Sequence, residues 1–405
     1  MKNISLVISL LAMTVVGQAW ATPTVSRQTV FELPISTDSM EYYVSNQGQL
    51  ILDVQRGKDG SSENLDNGLV QIYSSSTGKV VASTPFSLGS MRQSITLQDG
   101  TRLFVDRNGQ IGKYDFLRNK LVVAKPAVPA LGPYDGAYHL RISRNQNAAY
   151  VFSMYGSQIF EFDVQNLNYV RTIPLAISGS PISSIGDVHE IQFQGKRALA
   201  ATVTTPIVDN QRDDNIAVMI LDFADARTLQ VITGAELGLK LGGNYNRWPE
   251  IAEQGDKAIF CSSASGCYLV DTKSKKKSIA FMSDGSNNGS AKFSPDGKWI
   301  FAYESRTLQV LDSATLRLVQ SHKSRTGTLT DRPILLPKSG LYYVRCFEEV
   351  AFFNTKGALV VSLPASADKR AFLHDAGITE DREDGLNVMT VNSKYLVESI
   401  SVKFR

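Results

Sequence analysis

The 405-residue sequence predicts an all-β fold in which four-stranded units repeat around a ring, and three observations support this prediction. Turn residues recur about forty to sixty residues apart, a period typical of repeat architectures. Between the turns, short apolar segments of strand length end on an acidic or other polar residue. Periodicity typical of amphipathic helices is almost absent, which argues against α/β folds. Together these observations predict a single β-propeller.

The clearest repeat unit covers residues 293–320. It opens with a Ser-Pro-Asp-Gly turn, in which Pro295 fixes φ and Gly297 accepts a positive φ, so two strands are expected to meet there as a hairpin. Two apolar strands follow, and the second ends at Leu311-Asp312. The side chain of Asp312 can accept hydrogen bonds from the backbone of the next turn, which explains an acid at this position.

Both landmarks recur along the chain. The turn residues are Gly48, Gly100, Asn147, Gly195, Gly255, Gly297, Gly340 and Gly385. The strand ends are Tyr73-Ser74, Tyr114-Asp115, Phe162-Asp163, Leu221-Asp222, Val270-Asp271, Leu311-Asp312 and Phe353-Asn354. A further short strand follows each strand end, so each unit is expected to be a four-stranded blade.

The two ends of the chain are expected to complete one blade together. After Gly385 the sequence has room for two strands, at residues 386–391 and 395–404, and lacks the last strand of a blade. Residues 25–33 alternate as a strand that has no partner upstream. Pairing this strand with the three C-terminal ones closes the ring and removes two open sheet edges. We therefore favour eight blades over seven, because seven would leave one terminus unpaired.

These units resemble those of the WD40-like, YVTN-type and quinoprotein-like propeller superfamily, most plainly over residues 293–320. The resemblance covers nearly all of the chain after residue 21, and it implies a propeller without implying a catalytic site. The Trp-Asp dipeptides of true WD40 blades are missing. The tryptophan-docking repeats of quinoprotein alcohol dehydrogenases are missing too, because only Trp248 and Trp299 follow the N-terminal segment.

The first residues predict export. Lys2 precedes an apolar stretch over residues 4–16, and Ala19-Trp20-Ala21 places small residues where a signal peptidase reads them. Cleavage is expected after Ala21, which divides the chain into a signal peptide of residues 1–21 and a propeller domain of residues 22–405. The apolar stretch is too short to span a bilayer. We expect a bacterial periplasmic or secreted protein that is monomeric and has no transmembrane segment.

Composition and motifs argue against several classes of function. The net charge of +3 comes with scattered Lys and Arg, which is unlike the basic stripe of a nucleic-acid-binding protein. The densest basic run, at residues 273–277, is expected to be a solvated turn. No nucleophile elbow, His-Glu-x-x-His motif or phosphate-binding loop is present, so no catalytic residue and no cofactor is predicted. An enzyme stays open, because propeller sites are assembled from several blades.

The sequence contains three cysteines, and after export they are expected to be in an oxidising compartment. Cys261 and Cys267 flank a small flexible loop, and we predict a disulfide between them across a hairpin. Cys346 lies in an apolar segment and is predicted to be a buried thiol. This spacing supplies too few ligands for a zinc site.

The starts of the innermost strands carry candidate ligand-binding residues for a site at the channel mouth. They are Arg92, His139, His189, Glu190, Trp248, Arg332 and His374, with Arg247, Asp331 and Arg370 beside them. Imidazoles can ligate a metal, transfer protons or join arginines in holding an anion. The alternative is that each side chain satisfies its local backbone or faces channel water.

Two long inserts, at residues 56–67 and 204–215, interrupt the second and third strands of their blades and are expected on one face. Their acidic residues are candidate calcium ligands, although neither insert matches the calcium-loop motif. These residues are Asp59, Glu63, Asp66, Asp209, Asp213 and Asp214.

The leading hypothesis for function is a module that binds an envelope protein, peptide or polymer through this loop-rich face. Three features favour this hypothesis: the scaffold is rigid, the long inserts are expected on one face, and the sequence has no catalytic motif. The alternative is a channel-mouth enzyme of the amine-dehydrogenase-like or lactonase-like type. A third reading is a purely structural envelope propeller.

Overall fold

Eight four-stranded antiparallel sheets and one two-stranded hairpin make up the described part of the computed structural model, in which no helix is found. Each four-stranded sheet is one blade, which confirms the predicted all-β propeller with eight blades. The structure describes residues 22–32, 40–44, 50–54, 69–74, 77–84, 93–97, 99–105, 110–115, 118, 120–125, 138–205, 216–239, 248–262, 266–281, 290–304, 307–323, 332–346, 349–364, 376–391 and 396–404.

Blades 1 to 7 are continuous in sequence, and the strands of each blade are hydrogen-bonded to one another in chain order. Blade 1 contains β2 (Met40–Val44), β3 (Leu50–Val54), β4 (Leu69–Tyr73) and β5 (Val80–Thr84). Blade 2 contains β6 (Gln93–Thr96), β7 (Arg102–Val105), β8 (Ile111–Asp115) and β9 (Lys120–Lys125). Blade 3 contains β10 (Tyr138–Ile142), β11 (Ala148–Ser153), β12 (Gln158–Asp163) and β13 (Tyr169–Pro174).

A short hairpin of β14 (Ala176–Ile177) and β15 (Ser180–Pro181) separates blade 3 from blade 4. Blade 4 contains β16 (Ser184–Phe193), β17 (Lys196–Thr204), β18 (Ile216–Asp222) and β19 (Thr228–Thr233). Blade 5 contains β20 (Glu250–Ile251), β21 (Lys257–Ser262), β22 (Gly266–Asp271) and β23 (Lys277–Phe281). Blade 6 contains β24 (Ser290–Phe293), β25 (Trp299–Glu304), β26 (Thr307–Asp312) and β27 (Leu318–Lys323). Blade 7 contains β28 (Ile334–Leu335), β29 (Tyr342–Cys346), β30 (Glu349–Phe353) and β31 (Leu359–Pro364).

Blade 8 is built from both ends of the chain, as predicted. It contains β32 (Ala376–Arg382), β33 (Gly385–Val391), β34 (Leu396–Lys403) and β1 (Thr24–Glu32). Strand β1 runs antiparallel to β34, and Thr24 pairs with Lys403 at one end of the ladder. The guanidinium of Arg27 adds a 2.8 Å bond to Glu398 across these two strands. The N-terminal strand therefore closes the ring.

The first strand of each blade is the innermost one. The first strands of neighbouring blades contact each other, as β6 and β10, β10 and β16, β20 and β24, and β32 and β2 do. The innermost strands thus surround the central channel. Side chains on these strands are the ones that can meet across it.

The acid that follows the third strand in several blades acts as predicted. In blade 6, Oδ1 of Asp312 accepts hydrogen bonds from the backbone N–H groups of Ala314 and Thr315. Leu316 follows in the left-handed region with φ of 57°. Asp163, Asp222 and Asp271 accept equivalent bonds in their own blades. Because the acid satisfies the turn's N–H groups, it stabilises a tight connection to the outermost strand.

The apolar core lies between neighbouring blades. Between blades 3 and 4, Phe152 and Leu199 belong to one buried cluster. Between blades 6 and 7, the ring centroids of Phe301 and Phe353 are 5.2 Å apart. The apolar core therefore lies between the blades and not in the channel. Polar side chains of the innermost strands can line the channel without disturbing this core.

The predicted disulfide joins Cys261 to Cys267, which lie directly opposite each other on β21 and β22. Cys346 is free and buried, in agreement with its prediction. Burial raises the pKa of this thiol, so it stays protonated.

Candidate functional site

The starts of the innermost strands and the connections between second and third strands share one face of the ring, here named the front face. In blade 4, Ser184 at the start of β16 pairs with Thr204, and Thr204 pairs with Ile216. The connection between β17 and β18 therefore leaves the blade beside the start of β16. The disulfide Cys261–Cys267 closes the equivalent connection of blade 5 on the same face.

Several predicted residues lie outside the described residues. Among them are Arg92 and His374 of the candidate site, together with Arg247, Asp331 and Arg370. The acidic residues of the two inserts lie outside as well: Asp59, Glu63, Asp66, Asp209, Asp213 and Asp214. The other five candidate residues are His139, His189, Glu190, Trp248 and Arg332.

His189 and Arg332 meet across the channel. His189 lies on β16 of blade 4, and Arg332 precedes β28 of blade 7. The Nη2 atom of Arg332 lies 2.9 Å from Nε2 and 3.2 Å from Nδ1 of His189. Two blades separate these residues around the ring, so the contact crosses its interior.

The carboxylate of Glu250 lies beside this contact and pairs with two cations. The Nε atom of Arg332 is 2.8 Å from Oε1 of Glu250, an ion pair in which the N–H does not point at the oxygen. Lys292 of blade 6 donates to Oε2 of Glu250 at 2.9 Å. The Glu250 side chain is only 4% exposed. One buried carboxylate from blade 5 thus holds cations from blades 6 and 7.

A second pair of charges lies beside the first. Arg141 of blade 3 donates from Nε to Oδ1 of Asp187 at 2.7 Å, and Oδ1 also accepts from the backbone N–H of Val188. Asp187 lies two residues before His189 on β16, and alternation along a strand favours a common face for two such residues. We name the whole group the channel cluster, and its members are Arg141, Asp187, His189, Glu250, Lys292 and Arg332.

The environment fixes the charge states of the cluster. Burial would raise the pKa of Asp187, but Arg141 and Arg332 outweigh it and hold the pKa far below its usual range. Burial lowers the pKa of His189 well below its ordinary value, and the charge of Arg332 lowers it further. The carboxylate is therefore ionised and the imidazole neutral at pH 7. A neutral ring also offers the bare nitrogen to which Arg332 can donate.

Two further candidates border the cluster. The indole of Trp248 lies directly on the backbone of Gly186, where a Cβ atom would come within 1.9 Å of the ring. Glycine is required at this close approach, one residue before Asp187. His139 stacks on Phe152 at 5.3 Å, and its Nδ1 has no hydrogen-bond partner among the described residues. Burial lowers the pKa of His139, and Arg141 lowers it further.

The structure does not bring Glu190 into the channel cluster. Its carboxylate forms a two-point pair with Arg197 of β17, at 2.8 and 3.1 Å, and accepts from the backbone N–H of Arg144. Burial would raise the pKa of Glu190, but the bonds from Arg197 and Arg144 lower it. Glu190 therefore ties blade 4 to the first turn of blade 3.

Sequence reasoning missed four members of the cluster, and a simple signal could have found three of them. Arg141 lies two residues after His139, Asp187 two before His189, and Glu250 two after Trp248. Side chains two apart on a strand share a face. A search for charges at this spacing would have added them. Lys292 carries no such signal, because it belongs to a blade without a candidate residue.

The donor set is suited to holding an anion. Three cations and two carboxylates meet in the cluster, and each carboxylate is already engaged by a cation. No group of three His, Cys, Asp or Glu residues that could hold a metal ion occurs in the described part of the chain. The neutral His189 adds a hydrogen-bonding group and a proton acceptor.

Comparison with solved structures supports the fold. The chain is similar to dihydro-heme d1 dehydrogenase NirN in complex with DHE, with a TM-score of 0.54 and 13% identity over 93% of this chain and 78% of that one. It is also similar to the hydrazine synthase of Kuenenia stuttgartiensis, with a TM-score of 0.48 and 15% identity over 83% of this chain and 99% of that one. No protein-family model and no curated protein matches the sequence. At these identities the likeness shows the β-propeller fold alone.

A search of the described residues for membrane-crossing helices found none of sufficient length and apolarity.

Proposed function

We propose that the protein is an exported β-propeller, of the WD40-like, YVTN-type or quinoprotein-like type, that binds a partner through its front face. The observation that carries this proposal is the concentration of extra connections on that face. The hairpin β14–β15, the disulfide-closed connection of blade 5 and the base of the β17–β18 connection all lie there. Connections beyond the minimum needed are usually kept for function.

Export to the periplasm or beyond is supported by the N-terminal segment ending at Ala21 and by the disulfide. Disulfides persist in oxidising compartments and are rare in the cytosol. The proposed partner is an envelope protein, peptide or polymer, bound by a monomer.

An exposed aromatic side chain marks the front face. Tyr155, in the connection between β11 and β12, is 59% exposed. Tyrosine is enriched among the residues that dominate binding energy at interfaces. Tyr169 on the outermost strand of blade 3 is similarly exposed, at 51%, and lies away from the front-face connections. The two tyrosines form a matched pair for a test.

Immobilised mature protein is incubated with envelope extract, and the retained partner is identified and titrated back. We expect Tyr155→Ala, and shortening of the connection at residues 206–215, each to weaken retention at least fivefold. Tyr169→Ala is the control and should retain the partner as the unmodified protein does. Equal retention by all variants, or no retained partner, contradicts the proposal.

A second candidate function is a channel enzyme of the amine-dehydrogenase-like or lactonase-like type. It is favoured by the neutral His189 held against Arg332 in the channel. One structure of this fold is described as a dehydrogenase with DHE bound, although the likeness extends to the fold alone. An ultraviolet–visible spectrum and elemental analysis of the purified protein test this candidate. The candidate is supported if the protein contains a chromophore or a stoichiometric metal that His189→Gln loses. It is contradicted if the spectrum shows only protein absorption and the elemental analysis finds no metal.

A further inference from the structure

We propose that the channel cluster binds an oxyanion group, a carboxylate or phosphate of a small ligand, between Arg332 and Lys292. This site goes beyond the front-face module and does not depend on it. It would take a small acid or phosphorylated molecule that enters the channel.

The balance of charge in the channel cluster favours an anionic ligand. Two cations, Arg332 and Lys292, share the single carboxylate of Glu250, while Arg141 has Asp187. Because His189 is neutral, one unit of positive charge is left over in the cluster. An anionic group is the partner that would neutralise it.

Lys292 and Arg332 carry N–H donors that no other described residue uses. Within the described part of the chain Lys292 has one hydrogen bond, to Glu250, although an ammonium group has three N–H donors. Arg332 directs Nη2 towards His189, and its Nε lies in ion-pair contact with Glu250 without a hydrogen bond. Its Nη1 has no partner among the described residues. These donors are held close together because both side chains approach the same carboxylate.

The two cations are more exposed than the carboxylate that they share. Glu250 is 4% exposed, whereas the side chains of Arg332 and Lys292 are 29% and 25% exposed. Solvent, and therefore a ligand, can reach part of each cation, while the carboxylate is covered. An oxyanion with two or more oxygens can accept bonds from both cations, and a guanidinium suits such a planar or branched acceptor.

A cation as the ligand is disfavoured by the same contacts. Both oxygens of Glu250 are engaged, and Oδ1 of Asp187 accepts from Arg141 and from the backbone. An incoming cation would have to displace a bound arginine or lysine and would add to the surplus positive charge.

The test is calorimetric titration of the purified mature protein with sodium phosphate and, separately, sodium succinate, at constant ionic strength in chloride. We expect saturable binding of one equivalent in at least one arm, and the arm that binds tells phosphate from carboxylate. Arg332→Gln and Lys292→Gln are each expected to weaken binding about tenfold or more. Arg332→Lys keeps the charge and should bind more tightly than Arg332→Gln.

Arg144→Gln is the matched control, because Arg144 pairs with Glu253 at the turns away from the front face and outside the cluster. It should bind as the unmodified protein does. If Arg332→Gln fails to fold, Lys292→Gln carries the test. No saturable binding in either arm up to about 10 mM, or unchanged affinity in the folded cluster variants, would overturn the proposal. Partner retention through Tyr155 is measured independently, so the two proposals can fail separately.

Discussion

Two groups of ion pairs in this propeller both join carboxylates to cations but differ in how their bonds are distributed. The inter-blade pairs are Glu161–Arg171, within blade 3, and Glu190–Arg197, within blade 4, and they are named for their place at the contact between these two blades. Each gives its carboxylate one arginine. In the channel cluster, Glu250 is shared by two cations.

The arginines of the inter-blade pairs have further contacts within the protein. Arg171 donates to the backbone carbonyls of Phe223 and Ala224 in the next blade. The guanidinium of Arg197 lies 3.8 Å from the ring centroid of Phe223. Arg171 therefore stabilises the contact between blades 3 and 4, while Arg197 holds Glu190 in place within blade 4. Lys292 and Nη1 of Arg332 keep donors that have no partner among the described residues, so they are available to a ligand.

The largest loss of stability is expected at the ring seam, which is the pairing of β1 with β34 and lies outside both groups of charges. Deletion of residues 25–33 removes almost all of β1 and exposes the edge of β34. We expect loss of cooperative unfolding and aggregation, measured by circular dichroism and size-exclusion chromatography. Deletion of residues 22–23 alone is the control and should be harmless. A monodisperse, cooperatively unfolding deletion variant would contradict the account of ring closure.

Removal of an inter-blade arginine should have the largest effect among single substitutions. Arg171→Ala leaves Glu161 buried without its cation and frees two carbonyls, so we expect a loss of about 2–3 kcal/mol. Urea unfolding measures it. Arg227→Ala is the control, since its pair with Asp225 is exposed and should contribute less than about 0.5 kcal/mol. Equal losses in the two variants would remove the distinction between the groups.

The free energy of unfolding should depend on pH near neutrality mainly because of His189 in the channel cluster. The pKa of His189 is lowered in the folded protein, whereas an unfolded histidine titrates near 6.5. As the pH falls below about 6.5, the unfolded chain binds a proton that the folded chain does not. Stability should therefore fall by up to about 1.4 kcal/mol per pH unit for this residue. His139, whose pKa is also lowered, adds a contribution of the same sign.

The test compares urea unfolding at pH 7.5 and 5.5. His189→Gln should have a shallower pH dependence than the unmodified protein, and the residual slope belongs in part to His139. Arg171→Ala should lower stability at both pH values without changing the slope. An unchanged slope in His189→Gln would place the acid sensitivity elsewhere.

The smallest loss of stability is expected at Lys292. Lys292→Gln leaves Glu250 with Arg332, so no carboxylate is left alone, and the cost should be below about 1 kcal/mol. A loss as large as that of Arg171→Ala, measured in the same urea experiment, would mean that Lys292 is a structural cation like those of the inter-blade pairs.

Most of the fold could be predicted because its signals are local. Each of these signals depends only on residues that are close in sequence. Examples are the Pro-Asp-Gly turn, the acid at Asp312 and the alternating strand at residues 25–33. The disulfide was predictable because Cys261 and Cys267 lie close in sequence across a hairpin.

The channel contacts are not local, so only some of the residues, and no specific contact between two of them, could be predicted. His189 and Arg332 are 143 residues apart in sequence, and they meet because blades 4 and 7 belong to the same ring. Strand β16 also carries a register shift between Ile185 and Asp187. Adjacent positions on a strand face opposite ways, which explains why Glu190 pairs with Arg197 and the first turn of blade 3 while His189 contacts Arg332.

The most direct test of the account is a nuclear magnetic resonance titration of the histidine side chains with and without phosphate or succinate. We predict that the pKa of His189 lies well below that of an unfolded histidine when no anion is added. Binding of an anion beside the ring should then raise the pKa of His189 and shift its resonances, because a nearby negative charge favours the imidazolium. His322, which pairs with Glu349 on the outer strands, is the internal reference and should not respond to the anion. A His189 that titrates near 6.5, and does so identically with and without the anion, would contradict the account.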